Sequence, residues 1–66
     1  MPVKVNGNGV EYVKGETITE LLERMNYNFP LVVVKVNGKV IPHERFPMAK
    51  VPDRSKVEVI HLISGG

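Results

Sequence analysis

The sequence predicts a small α+β domain, a sheet of four to five strands with one helix packed across it. Two observations carry this expectation. The apolar pattern switches from period two to the helical period once, around residues 17–25, and then back again. On either side of that segment, Gly-containing turns separate short β-prone runs, the pattern of hairpins. Length sets the scale: 66 residues hold one domain with one modest core, in the range where about 60% of the unfolded chain's surface is buried on folding. A single domain over residues 1–66 with a flexible Gly-Gly tail is expected, and a large catalytic cleft is not.

The elements follow in chain order. "PVKVN" (2–6) and "VEYVK" (10–14) read as strands joined by "GNG", a first hairpin. "TITE" (17–20) fits a capping box, in which Thr17 accepts from the Glu20 amide and the Glu20 carboxylate reaches back to the Thr17 amide. A helix therefore starts there. Ile18, Leu21, Leu22 and Met25 recur at i, i+3, i+4 and i+7 and draw one apolar stripe, leaving Glu20, Glu23 and Arg24 for solvent. Asn26 and Asn28 suit a helix end, and Pro30 stops it. "LVVVKV" (31–36), Asn37-Gly38 and "KVI" (39–41) form a second hairpin with a type I′ turn signal. Residues 42–55, with Pro42, Pro47 and Pro52, read as an irregular crossover with room for a helical turn at "HERF". "KVEVIHLI" (56–63) is the last strand.

Composition narrows the chemistry. With 42% apolar and 24% charged residues and a net charge of +2, the chain is globular in character. It has no Cys, so a disulfide framework, a thiolate metal site and a cysteine nucleophile are all excluded. The start lacks the apolar core of a signal peptide and no run reaches membrane-spanning length, so a cytoplasmic, membrane-free location is expected. His43 and His61 have no ligand-spaced companion, and no metal is assigned. Asp53, Glu44 and Glu58 read as surface charge, not as acid/base groups. Lys35, Lys39, Arg45, Lys50, Arg54 and Lys56 are dispersed, which argues against a nucleic-acid footprint and is compatible with an acidic protein partner.

The last strand contains a misfit. Val57 and Val59 share one face, so alternation places Ile60 and Leu62 with Lys56 and Glu58 on the other. In the third strand Val32, Val34 and Val36 form a core face while Val33 sits with Lys35. If the two strands are neighbours, Val33, Ile60 and Leu62 form an apolar patch beside the tail, a pattern that marks a partner site. The alternative is that crossover 42–55 covers this face. The end, "ISGG", poses a related question: Gly65 and Gly66 contribute little to folding, but two residues without Cβ make a thin thread that can enter a narrow site and present the Gly66 carboxylate.

The order of elements, the early "NG" turn, "GETITELLERM", "VKVNGKVIPHERF" and the terminal "ISGG" together resemble the ThiS family, sulfur carriers of thiamine biosynthesis with the ubiquitin-like β-grasp fold. The resemblance spans the whole chain. After the second hairpin turn, family members commonly carry a Pro, polar residues and an aromatic, matched here by Pro42, Glu44 and Phe46; "VPDRSK" departs from the family's Asp-Gly-Asp-like turn. The resemblance implies a mixed sheet with first and last strands parallel at its centre. It also implies a carrier and not an enzyme: an adenylating enzyme of the ThiF or MoeB type activates the Gly66 carboxylate with ATP, a donor supplies sulfur, and the thiocarboxylate serves a ThiG-like thiazole synthase. Ser64, Gly65 and Gly66 would form the reactive tail, and Val33, Ile60 and Leu62 the partner contact. No phosphate-binding loop running into a helix is present, so activation must come from elsewhere. Two alternatives remain open. The same fold and tail serve the MoaD-like small subunit of molybdopterin synthase, whose partner is that enzyme's large subunit, and ubiquitin-like protein modifiers, although "IPHERF" leans to the thiamine type. A β-grasp module binding nucleic acid or protein would leave both tail and patch unexplained.

Overall fold

Two asparagine-glycine turns shape the sheet. The computed structural model describes residues 2–27 and 32–61. Asn6-Gly7 (φ 51 and 85) and Asn37-Gly38 (φ 51 and 85) both adopt the doubly positive φ of a type I′ turn. The first joins β1 (Val3–Val5) to β2 (Asn8–Val10), the second β3 (Val32–Val36) to β4 (Lys39–Ile41). The first hairpin thus departs from its sequence pattern: β2 is Asn8–Val10 and not residues 10–14, and the turn is Asn6-Gly7 and not the "GNG" stretch. The reason is geometric, since Asn-Gly supplies the left-handed pair that the strand twist needs, and Gly9 then falls within β2 opposite Lys4.

β5 (Lys56–His61) lies between the hairpins, parallel to β1 and antiparallel to β3, in the order β2-β1-β5-β3-β4. The parallel central pair is the arrangement that the resemblance implies. Residues 62–63 of the expected last strand lie outside the described residues.

One helix, α1 (Ile18–Arg24), crosses one face, and its ends are closed by local chemistry. The capping box forms as expected, the Glu20 amide donating to Thr17 Oγ1 at 3.2 Å and the Thr17 amide to Glu20 Oε1 at 2.9 Å. The two amides before it donate to the crossover, Ile18 to the Ala49 carbonyl (2.9 Å) and Thr19 to the Phe46 carbonyl (3.2 Å). At the other end Asn26 takes φ 62, its amide donates to the Glu23 carbonyl, and the Tyr27 amide donates to the Leu22 carbonyl, the Schellman pattern with Asn in place of Gly.

Arg24 is exposed on the polar face, as the stripe places it, and is at the same time held by a bonded partner. Its Nε and Nη2 each donate at 2.9 Å to the buried carboxylate of Glu16, and Nη2 also donates to the Glu11 carbonyl at 2.9 Å. The hydrogen bond to Glu16, assisted by that carboxylate's charge, holds the guanidinium above its usual pKa range despite partial desolvation.

The helix stripe and the sheet's inner face enclose one core. Val3, Val5, Val32, Val34, Val36, Val57 and Val59 are buried against Ile18, Leu21 and Leu22, with Met25 half-buried at the edge. The crossover adds Phe46 and Val51, which the aperiodic sequence of 42–55 did not mark as core. A 3-10 turn forms at His43–Arg45, as "HERF" suggested, and the Val51 amide donates to the Glu16 carbonyl at 2.8 Å. "VPDRSK" closes with Arg54 at φ 61 and the buried Ser55 hydroxyl donating to the Pro52 carbonyl at 2.7 Å.

Leu21 is 1% exposed and meets the sheet at the centre of the stripe. Leu21→Ala is expected to lower the unfolding free energy by about 2–5 kcal/mol, seen as a lower urea midpoint at unchanged slope. A loss below about 1 kcal/mol would show that the helix does not seal the core.

Candidate functional site

Among the described residues, no helix crosses the sheet's second face. Because α1 and the crossover bond to each other, through Ile18 to Ala49, Thr19 to Phe46 and Val51 to Glu16, both stand on the core side. The alternative in which residues 42–55 cover the outer face is therefore excluded. Register then fixes who neighbours whom on that face. Val33 lies directly opposite Ile60, and Lys35 lies opposite Glu58 on one side and Val40 on the other. Lys4 lies opposite Lys56 on the parallel pair.

The expected partner residues are thus brought together in part. Ile60 is 41% exposed and Val33 half-buried beneath it, an adjacent apolar pair on one sheet face. Val40, 58% exposed, joins them through Lys35 and was missed by the sequence pattern. The signal was present, since the Asn37-Gly38 turn sets the register of β4, but three residues are too few for alternation to be read. Leu62, Ser64, Gly65 and Gly66 lie outside the described residues. The apolar pair is bordered by Lys4, Lys35 and Lys56 with Glu58 among them, so the face is apolar at the tail end of β5 and basic toward its start. A surface of this kind suits a partner with an apolar patch and acidic surroundings.

Catalytic machinery is not visible among the described residues. His43 is exposed and its ring rests against Phe46 at 4.8 Å, a packing contact. Among the described residues no group of three or more His, Asp or Glu could hold a metal ion. Glu44 and Asp53 are exposed and Glu58 is half-buried, and no helix of the described residues is long and apolar enough to cross a membrane.

Sequence reasoning also missed two asparagines. Beyond their turns, Asn6 and Asn37 use their side chains on β5: the Val59 amide donates to Asn6 Oδ1 at 2.8 Å, and the Lys56 amide donates to Asn37 Oδ1 at 2.9 Å. The repeated "VNG" at 5–7 and 36–38 was the signal available.

A five-stranded mixed sheet with first and last strands parallel at its centre and one helix across one face defines the ubiquitin-like β-grasp class. The ThiS family model matches residues 3–66, and the chain belongs to that family. It is 31% identical over 65 residues to the sulfur carrier protein ThiS of Bacillus subtilis, covering 97% of this chain and 98% of that one. It is 24% identical over 66 residues to ThiS of Escherichia coli, covering both chains fully. The crystal structure of the thiamine biosynthesis protein ThiS from Geobacter metallireducens superposes with a TM-score of 0.80 at 33% identity, covering 100% of both chains.

The outer face should respond differently from the core. Ile60→Asp is expected to cost about 1 kcal/mol or less, the span of strand propensities at a surface position, and, if this face is a partner contact, to abolish capture of that partner. Thermal unfolding and a pull-down decide this, and a loss of several kcal/mol would return Ile60 to the core.

Proposed function

We propose that this chain is a sulfur carrier of thiamine biosynthesis and acts as co-substrate, not catalyst. The observation that carries the proposal is the family match through residue 66, which takes in Gly65 and Gly66 and follows directly on the strand bearing the exposed Ile60. The names of the Bacillus, Escherichia and Geobacter relatives support the thiamine customer over molybdopterin or protein conjugation.

The chemistry follows from the carboxylate. An α-carboxyl, with an ordinary pKa of about 3.5, is ionised at neutral pH and can attack the α-phosphate of ATP, releasing pyrophosphate. The unactivated carboxylate cannot itself be thiolated, because hydroxide is too poor a leaving group. In the acyl adenylate the leaving group is AMP, and a sulfide equivalent from a donor displaces it to leave a thiocarboxylate on Gly66. That species hands its sulfur to a thiazole synthase. The adenylating enzyme supplies the phosphate-binding elements that this chain lacks. Val33, Val40, Ile60 and Leu62 form its docking contact, with Ser64, Gly65 and Gly66 reaching into its active site. From His61, five further residues extend at most about 18 Å, so the reactive end stays within a short radius of the docking face.

Intact protein, Gly66→Ala and a version extended past Gly66 would each be incubated with ATP, a cognate adenylating enzyme and a sulfur donor, and intact masses measured. The intact protein is expected to gain the mass of one oxygen replaced by sulfur. Gly66→Ala is expected to react much more slowly at unchanged stability, because a Cβ widens the thread and restricts its φ/ψ range. The extended protein is expected to stay unmodified. Equal modification of the extended protein, or sulfur mapped elsewhere than Gly66, would overturn the carrier function.

A further inference from the structure

We infer that Asn6 is a positioning residue for the carrier chemistry: its side-chain amide continues the β1–β5 ladder past the end of β1 and fixes the point from which the reactive segment departs. The inference rests on the carrier function proposed above.

The ladder between the two parallel strands begins with the Lys4 amide donating to the Ser55 carbonyl (3.0 Å) and continues with the Asn6 amide donating to the Val57 carbonyl (2.9 Å). The main chain then turns away at Asn6-Gly7. The next rung of β5 belongs to Val59, and the Asn6 side chain fills it: the Val59 amide donates to Oδ1 at 2.8 Å, and Nδ2 donates to the Val59 carbonyl at 3.2 Å. A carboxamide carries the same donor and acceptor as a peptide unit, so it substitutes for the residue that β1 lacks. Nδ2 also lies 3.3 Å from the Tyr27 hydroxyl, which ties the bracket to the residue closing the C-terminal end of α1.

On its other side β5 pairs with β3 as far as His61 opposite Val32. Val59 is therefore the last described residue of β5 gripped from both sides. Among the described residues, the ladder of Ile60 and His61 runs to β3. The segment leading to Gly66 starts from there.

Asn37 provides the matched comparison. It occupies the same turn position at the same φ of 51 and brackets β5 at its start, its amide donating to the Lys56 carbonyl (2.8 Å) and the Lys56 amide to its Oδ1 (2.9 Å). Both brackets accept a β5 amide at Oδ1, the Asn6 bracket adding the Nδ2 bonds, and they stand at opposite ends of one strand, so only the Asn6 bracket is next to the tail. In each turn Gly accepts the positive φ without strain, and an Asn→Gly change removes the side chain alone.

Intact protein, Asn6→Gly and Asn37→Gly would be compared by urea unfolding, by amide exchange at Val59, and by the single-turnover rate of thiocarboxylate formation at saturating concentrations of a cognate adenylating enzyme, ATP and sulfur donor. Both variants should lose stability, Asn6→Gly the more because the Nδ2 bonds go with it. Asn6→Gly alone should speed Val59 exchange by about tenfold and slow the saturated rate by about tenfold or more, since loss of orientation acts on the chemical step. Asn37→Gly should keep the intact rate within about twofold. If Asn6→Gly is too unstable to assay, Asn6→Asp, which keeps the acceptor for the Val59 amide and loses the donor, is measured in its place and should also slow the saturated rate. Equal slowing in both turn variants, or an intact rate in the Asn6 variant, overturns the inference while leaving the carrier function standing. An intact protein that gains no sulfur overturns both.

Discussion

The structure depends on the last strand finding its place between two hairpins made long before it. Each hairpin is local, a pair of short strands of the kind that is marginal alone in water. They do not pair with each other; only β5 joins them. Val57 sits at the junction, opposite Val5 on one side and Val36 on the other, and is fully buried. The contacts of β5 with β1 link residues some fifty positions apart, and the loop-closure entropy of most of the chain is spent before they form. The fold is cooperative for that reason: without β5 neither hairpin has a complete inner face to offer the helix.

The same constraint explains the crossover. From β4 at the sheet edge the chain must return to the centre, and it does so over the helix side, where its carbonyls at Phe46 and Ala49 meet the first two amides of α1. Those amides have no partner within the helix, so the crossover and the helix N-terminus satisfy one another. Glu16 links the same region twice, its carbonyl accepting from Val51 and its carboxylate from Arg24. A carboxylate this buried is costly unless bonded, and the two-pronged guanidinium contact meets that requirement. With helix and crossover both committed to one face, neither covers the other, where Val40 and Ile60 are exposed and Val33 is half-buried.

Much of this was legible. The capping box at Thr17, the helix stripe, the Asn37-Gly38 turn and the valine alternation each rest on interactions between near neighbours, and each appears where the sequence put it. The parts that were not legible depend on distant partners. Arg24 is exposed as its spacing indicated, but its bond to Glu16 was not legible, because Glu16 precedes the helix and falls outside the helical spacing that the pattern tests. Phe46 and Val51 looked like loop residues because the crossover buries single side chains without a period. The first turn was displaced because "NGNG" offers overlapping turn signals, and only pairing with Val10, Gly9 and Asn8 selects Asn6-Gly7. At the site, Val33 and Ile60 were readable as a violation of alternation, whereas Val40 and the bracket role of Asn6 required the register itself.

In the proposed carrier, docking and delivery are carried by a single strand. Ile60, which the partner would grip, and Val59, where the grip of β1 ends, are consecutive residues of β5 facing opposite sides of the sheet. A partner that binds the outer face thereby also fixes the strand from which the segment leading to Gly66 departs. The core side of that strand is sealed by Val57 and Val59, so the load is taken by buried valines and ladder hydrogen bonds rather than by a loop. This arrangement suits a carrier that acts as co-substrate. What it can contribute to a reaction run elsewhere is the position of one carboxylate, and position is a property that a rigid central strand holds better than any other element this chain contains.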